Sequence, residues 1–170
     1  MTTAQRAEAL HRAAKPLPDL CLTSAETLTH LVTRELSHAE ILDDFQAYGS
    51  IHAQAVAPAS IFHVVGSNTP LAALQSLIRG LLLGSRNRVK LPTGGLAEVD
   101  TFIGRLPNTL QALVETEETL NDAWLREAEV VVAFGSDETI AYFRQRCRPH
   151  QVFLAHGHRI SFGVVYDDAE

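Results

Sequence analysis

Ile61-Phe62-His63-Val64-Val65-Gly66-Ser67-Asn68-Thr69-Pro70 is the stretch on which the fold turns. Four of its first five residues are apolar, three of them β-branched, and the run stops at Gly66. A continuous apolar run of that length suits a strand buried on both faces, as in a parallel sheet. Gly-Ser-Asn-Thr has the chemistry of a turn. Pro70 fits the first turn of a helix, where its missing N–H costs nothing, with Thr69 or Asn68 as the cap. The helix is predicted to reach Leu83 and stop at Gly84. Strand, turn and helix in that order make the first half of a βαβ unit.

The pattern continues toward the C-terminus. Residues 88–91 read as a second strand closed by Pro92-Thr93-Gly94-Gly95, followed by helical stretches over residues 96–114 and 117–127. Val130-Val131-Val132-Ala133-Phe134 reads as a third strand ending in Gly135-Ser136. Ser136 is a good cap for a helix over residues 137–146, whose N-terminal dipole Asp137 and Glu138 complement. Residues 151–155 and 160–166 are two further apolar runs, expected as strands. Toward the N-terminus, the chain to Tyr48 reads as helix, with Leu28, Leu31, Val32 and Leu36 at the spacing of an amphipathic stripe. Residues 49–60, rich in small residues, read as a linker. The predicted fold is therefore α/β: an open, mainly parallel, Rossmann-like three-layer sheet preceded by N-terminal helices. Residues 1–57 form the helical region and residues 58–170 a partial nucleotide-binding domain.

A length of 170 residues suits one self-contained unit. Fourteen Lys and Arg against twenty Asp and Glu give a net charge of −6, with Lys15 and Lys90 the only lysines. An acidic chain without a basic cluster is a poor nucleic-acid binder. Cys21 and Cys147 have no metal or redox spacing, which suits a reducing compartment. No stretch has the length and apolarity to span a bilayer, and a cytoplasmic location is expected.

In an open α/β sheet, ligands bind at the carboxyl ends of the strands. Three turns qualify here: residues 66–70, 90–93 and 134–136. Their small residues let a ligand approach the backbone, although turn and cap duties explain the same residues. Neither Gly-x-Gly-x-x-Gly after a strand nor Gly-x-x-x-x-Gly-Lys-Ser/Thr is present. His156-Gly157-His158 could place two ligands on one side of a strand, but no third ligand sits nearby. It is read as a glycine-containing turn, and no metal is expected.

Taken in order, residues 63–71, 76–91, 134–138 and 156–162 resemble the LuxC-like acyl-CoA reductases of the aldehyde dehydrogenase superfamily. The resemblance covers the chain from Ile61 to the C-terminus. It implies reduction of a fatty acyl thioester to an aldehyde with a nicotinamide cofactor. Asn68 falls on the superfamily's Asn two residues before a Pro, whose amide helps hold the thioester oxyanion, a large catalytic effect. Lys90 matches the lysine at the cofactor's adenosine ribose. Thr93 stands where NAD-preferring relatives often carry Glu, so NADP(H) is the expected cofactor and NAD(H) the alternative. Ser67, Gly135 and Ser136 complete the implied cofactor set. Neither Ala155 nor His156 is the glutamate that activates water in hydrolytic relatives, as a reductase requires.

The same resemblance requires a cysteine nucleophile, because a thiolate both attacks well and leaves well. In the family it lies downstream of the last strand predicted here, and Cys147 does not match its motif. The expectation is a cofactor-binding portion that stops before the nucleophile, inactive alone and completed by a C-terminal half or within a homo-oligomer. The alternative is a non-catalytic α/β binding or assembly module derived from the family.

Overall fold

A computed structural model describes residues 1–17, 24–67 and 70–158. Helices α1 (Thr3–Ala14) and α2 (Ala25–Leu36) come first, followed by a 3-10 turn at Ala39–Leu42. A short antiparallel hairpin of β1 (Gln46–Tyr48) and β2 (Ile51–Ala53) leads into the main sheet. There follow β3 (Ser60–Val64), α3 (Pro70–Leu83), β4 (Arg86–Lys90), α4 (Ala97–Arg105), α5 (Asn108–Gln111) and β5 (Val114–Glu117). The last elements are α6 (Asp122–Glu127), β6 (Val130–Phe134), α7 (Asp137–Arg146) and β7 (Val152–His156). The five-stranded sheet has the order β5-β4-β3-β6-β7, with every neighbouring pair parallel. Helices pack on both faces, so the open parallel α/β prediction holds.

β3 shows why an apolar run with one polar residue forms the central strand. Phe62 and Val64 join Val131, Ala133, Trp124, Leu125 and Phe143 under α6 and α7. Ile61 and His63 face α3 on the other side, where His63 bonds Ser76 and Ile61 lies beside Gly80. The larger core lies on that second side and merges α1, α3 and α4 around Leu10, Leu74, Leu77, Leu81 and Phe102. α1 is locked to the end of α3 by Arg6, whose Nε donates to the Leu82 carbonyl at 2.8 Å. Asp43 accepts from the Thr3 backbone N–H at 2.9 and 3.0 Å, supplying a carboxylate at the positive end of α1.

Three sequence expectations are corrected. The predicted helix over residues 96–114 is two shorter helices, because Pro107 lacks the N–H needed to continue the first. Val114–Glu117, where the first predicted helix ends and the second begins, is the edge strand β5 paired with β4. The stretch read as helix to Tyr48 and as linker from Gly49 contains the β1–β2 hairpin. The strand expected at residues 160–166 lies outside the described residues.

Candidate functional site

The chain leaves β3 toward β4 on one side and returns from β5 to β6 on the other. The strand order therefore reverses between β3 and β6, and the crevice at their carboxyl ends is the switch point of the sheet. Val65 follows β3 and donates its N–H to the Lys90 carbonyl at 3.1 Å, extending the β3–β4 ladder to the rim. Gly66 is half-buried and Ser67 exposed just past the carboxyl end of β3. Asn68 and Thr69 lie outside the described residues. Across the crevice, the Gly135 N–H donates to the His156 carbonyl at 3.3 Å.

Gly135 has φ +157°, and a Cβ there would come within 3.0 Å of Thr139. Glycine thus lets the β6 turn sit against the first turn of α7. Ser136 caps that helix, its hydroxyl accepting from the Thr139 N–H at 3.4 Å. The Ser136 hydroxyl also bonds Glu138, and this bond holds the Glu138 carboxyl below the usual carboxylate range. Asp137 and Glu138 make the α7 end of the crevice acidic. The α3 end has no acidic residue in its first turn.

Lys90 ends β4 half-buried and makes no ion pair with any described residue. Thr93 is exposed in the following turn, which Gly94 and Gly95 close with φ +88° and +69°. The Gly94 N–H donates to the Glu118 carboxylate at 3.0 Å. The rim thus brings Ser67, Lys90, Thr93, Gly135 and Ser136 to one edge of the sheet. A half-buried ammonium on the β4 side and the backbone of the close Gly135 turn on the β6 side are groups of the kind that hold the ribose and phosphates of a dinucleotide. The acidic start of α7 favours seating phosphates toward α3.

His156 is exposed at the end of β7, its ring stacked on Phe134 with centroids 4.5 Å apart and planes 10° from parallel. Among the described residues, no group of three His, Cys, Asp or Glu side chains converges as a metal site. Cys147 is the half-buried C-cap of α7, and burial pushes its thiol pKa up, the wrong direction for a nucleophile.

A buried polar network below the rim escaped sequence reasoning. His63 on β3 is 1 % exposed and Asn87 on β4 is fully buried. The Asn87 amide donates to the Ser85 carbonyl at 2.7 Å, which turns its oxygen toward His63. His63 Nε2 donates to that oxygen at 3.0 Å, and Nδ1 accepts from the Ser76 hydroxyl at 2.9 Å. Burial holds His63 neutral, its pKa lowered to about 4 against the opposing effect of the Asn87 bond. The network joins β3, β4 and α3 beneath the turns that carry Ser67 and Lys90. Its one sequence signal is a histidine inside an apolar run.

The sequence profile of the acyl-CoA reductase (LuxC) family matches residues 2–170. A long-chain acyl-protein thioester reductase of Aliivibrio fischeri is 25 % identical over 158 residues, covering 86 % of this chain and 33 % of that protein. Its Vibrio harveyi counterpart is 24 % identical over 163 residues, covering 89 % of this chain and 34 % of that protein. This chain therefore spans about a third of the length of the curated relatives it matches. Among solved structures, an NAD-dependent benzaldehyde dehydrogenase from Corynebacterium glutamicum superposes with TM-score 0.60 at 14 % identity, covering 92 % of this chain and 42 % of that one. A propionaldehyde dehydrogenase from a Clostridium phytofermentans microcompartment gives 0.55 at 11 % identity, over 92 % of this chain and 43 % of that one. At such identities these two show the fold, which is that of aldehyde dehydrogenase-type enzymes. With the profile match running almost end to end over a parallel sheet of that type, the chain belongs to the acyl-CoA reductase (LuxC) family.

Proposed function

We propose that these residues form the cofactor-binding portion of an enzyme that reduces long-chain acyl thioesters to aldehydes with NADP(H). The observation that carries the reading is the switch-point crevice, with the Lys90 ammonium, ion-paired with no described residue, on its β4 side and Gly135 on its β6 side. When bound, the nicotinamide supplies the hydride. Lys90 would hold the hydroxyls of the adenosine ribose. Thr93, neutral where a carboxylate would repel, leaves room for a 2′-phosphate. Ser67 and the backbone at Gly135 and Ser136 would hold the pyrophosphate region, and Asn68 would donate its amide to the thioester oxyanion. Cys147, the half-buried C-cap of α7 with its thiol pKa raised, is set aside as the acyl acceptor, and the family resemblance assigns the thiolate to a downstream C-terminal half of the enzyme.

The acidic start of α7, with Ser136 occupied as a helix cap, favours a second reading: an α/β assembly module that has lost cofactor affinity. Fluorescence titration of the chain with NADPH separates the two. The first reading expects saturable binding that Lys90→Ala weakens about tenfold, a loss of about 1.4 kcal/mol. It also expects acyl-CoA reduction only when the C-terminal half is supplied. No binding by a folded chain, or binding indifferent to Lys90→Ala, favours the module. Turnover by the chain alone that Cys147→Ser abolishes overturns the assignment of the thiolate.

A further inference from the structure

Lys90 is the one cation between Arg88 and Arg105, and no lysine or arginine lies between Arg105 and Arg126. The same span carries Glu98, Asp100, Glu115, Glu117, Glu118 and Asp122. The β4–β5 corner of the rim therefore sets one ammonium among an excess of carboxylates, and one of these touches the turn that carries Thr93.

The parallel register puts Lys90 beside Glu117, and the Leu91 N–H donates to the Glu117 carbonyl at 2.8 Å. The ladder thus runs to the last residue of both strands, and Glu118 follows it, exposed. The Glu118 carboxylate accepts from the Gly94 N–H at 3.0 Å, and its other oxygen stands 3.9 Å from where a Cβ on Gly95 would lie. It therefore rests against two successive glycines immediately after Thr93, and the Gly94 bond fixes where its charge stands. The turn itself is closed separately, by the Gly95 N–H on the Pro92 carbonyl at 3.0 Å. Glu117 is engaged by the Asn121 amide at 3.3 and 3.4 Å, whereas Glu118 makes no ion pair with any described residue, Lys90 included.

On the reading that Lys90 and Thr93 receive the adenosine ribose, on which this rests, we propose that Glu118 is a specificity-determining residue whose carboxylate holds down the preference for NADP(H) over NAD(H). Thr93 leaves a negative charge out of the ribose corner, and Glu118 returns one from the neighbouring strand. A carboxylate beside a ribose accepts from the 2′-hydroxyl and repels a 2′-phosphate, which dinucleotide sites otherwise meet with an arginine. Arg88, two residues before Lys90, is already bonded to Glu115 and Glu127. Because Glu118 is exposed, its repulsion acts through water and is screened by salt.

Fluorescence titration of the 170-residue chain with NADPH and with NADH tests this in Glu118→Gln, whose amide oxygen can still accept from the Gly94 N–H once the charge is gone. Expected is NADPH binding at least about fivefold tighter, about 1 kcal/mol, with NADH affinity unchanged within about twofold. The gain falls below about twofold in 1 M salt, where charges are screened within about 3 Å, and the melting temperature does not move. Thr93→Glu, which adds a carboxylate to the same turn, moves the ratio toward NADH. A ratio that Thr93→Glu moves and Glu118→Gln does not overturns the role of Glu118 and leaves the ribose site standing. Equal weakening of both cofactors by Glu118→Gln overturns it too, making Glu118 a support for the turn. A folded chain that binds neither cofactor overturns the ribose site and this role together.

Discussion

The two halves of the sheet reach the same rim with different support. On the β3–β4 side, α1, α3 and α4 merge into one apolar cluster that takes in Val65, Val89 and Leu91 just beneath Lys90. Below that lies the His63–Asn87–Ser76 network. On the β6–β7 side, α6 and α7 cover one face with a smaller cluster, while Val152 and Leu154 on the other face stand 54 % and 47 % exposed. The β4 end of the rim therefore rests on packing that reaches two layers of helices, and the β6 end rests on a cap and one glycine turn. On the proposed reading, Lys90 as the contact for a cofactor ribose is built on the firmer half.

The sharpest way to break this contrast is to cut one ring from each half. Phe102→Ala, in the centre of the larger cluster, should destabilise by about 4 kcal/mol. Phe143→Ala lies in the smaller cluster, where Phe62 meets it edge-on at 6.3 Å. Its cost should be nearer about 3 kcal/mol, since the site has more room to relax. Urea unfolding of the two variants gives the comparison, and equal losses would erase it.

Next in size is the pH dependence of the β3–β4 half. His63 is held neutral in the folded chain with a pKa of about 4, below its ordinary 6.5. The unfolded chain therefore binds the extra proton first as pH falls. Stability from this residue is complete above about pH 6.5 and is lost progressively toward pH 4, by about 3 kcal/mol in all. Urea midpoints measured across that window should show the loss, and His63→Gln should flatten it. A wild-type curve as flat as the variant's would refute the burial account.

On the β6 side the expected effects are smaller. Ser136→Ala removes the cap of α7 and should cost about 1 kcal/mol by thermal unfolding. Lys90→Ala removes a half-buried ammonium that is ion-paired with no described residue, and should change stability by less than about 0.5 kcal/mol. A large loss of stability at Lys90 would make it a structural cation rather than one held for a ligand.

Where the sequence could be read, local and long-range signals agreed. In β3 and α3 the apolar run, the proline and the terminal glycine point one way, and in β6 and α7 the valine run and Ser136 do the same. β5 escaped because Val114-Glu115-Thr116-Glu117 is half charged, which an edge strand tolerates and a central strand would not. Glu115 is also enlisted by Arg88, which bonds Glu127 as well and lies over the Trp124 ring at 5.7 Å. None of these partners is adjacent in sequence. The hairpin escaped because three-residue strands are too short to show a period. Among the rim residues, Lys90 and Gly135 were legible from composition and motif order. The network beneath them was not, because only the parallel register of β3 and β4 brings His63 and Asn87 into range.

That register also ties two distant positions into one evolutionary unit. Gly80 on α3 faces Asn87, and a Cβ at Gly80 would overlap the Asn87 amide oxygen, the atom that accepts from His63. Any lineage that gains a side chain at position 80 must shrink position 87, and losing that acceptor frees position 63 from histidine. Drift at these three sites should therefore be concerted, passing between a glycine–asparagine–histidine state and an all-apolar one with few viable mixtures. Variant libraries randomised at 63, 80 and 87 together would expose that coupling as a bimodal set of survivors.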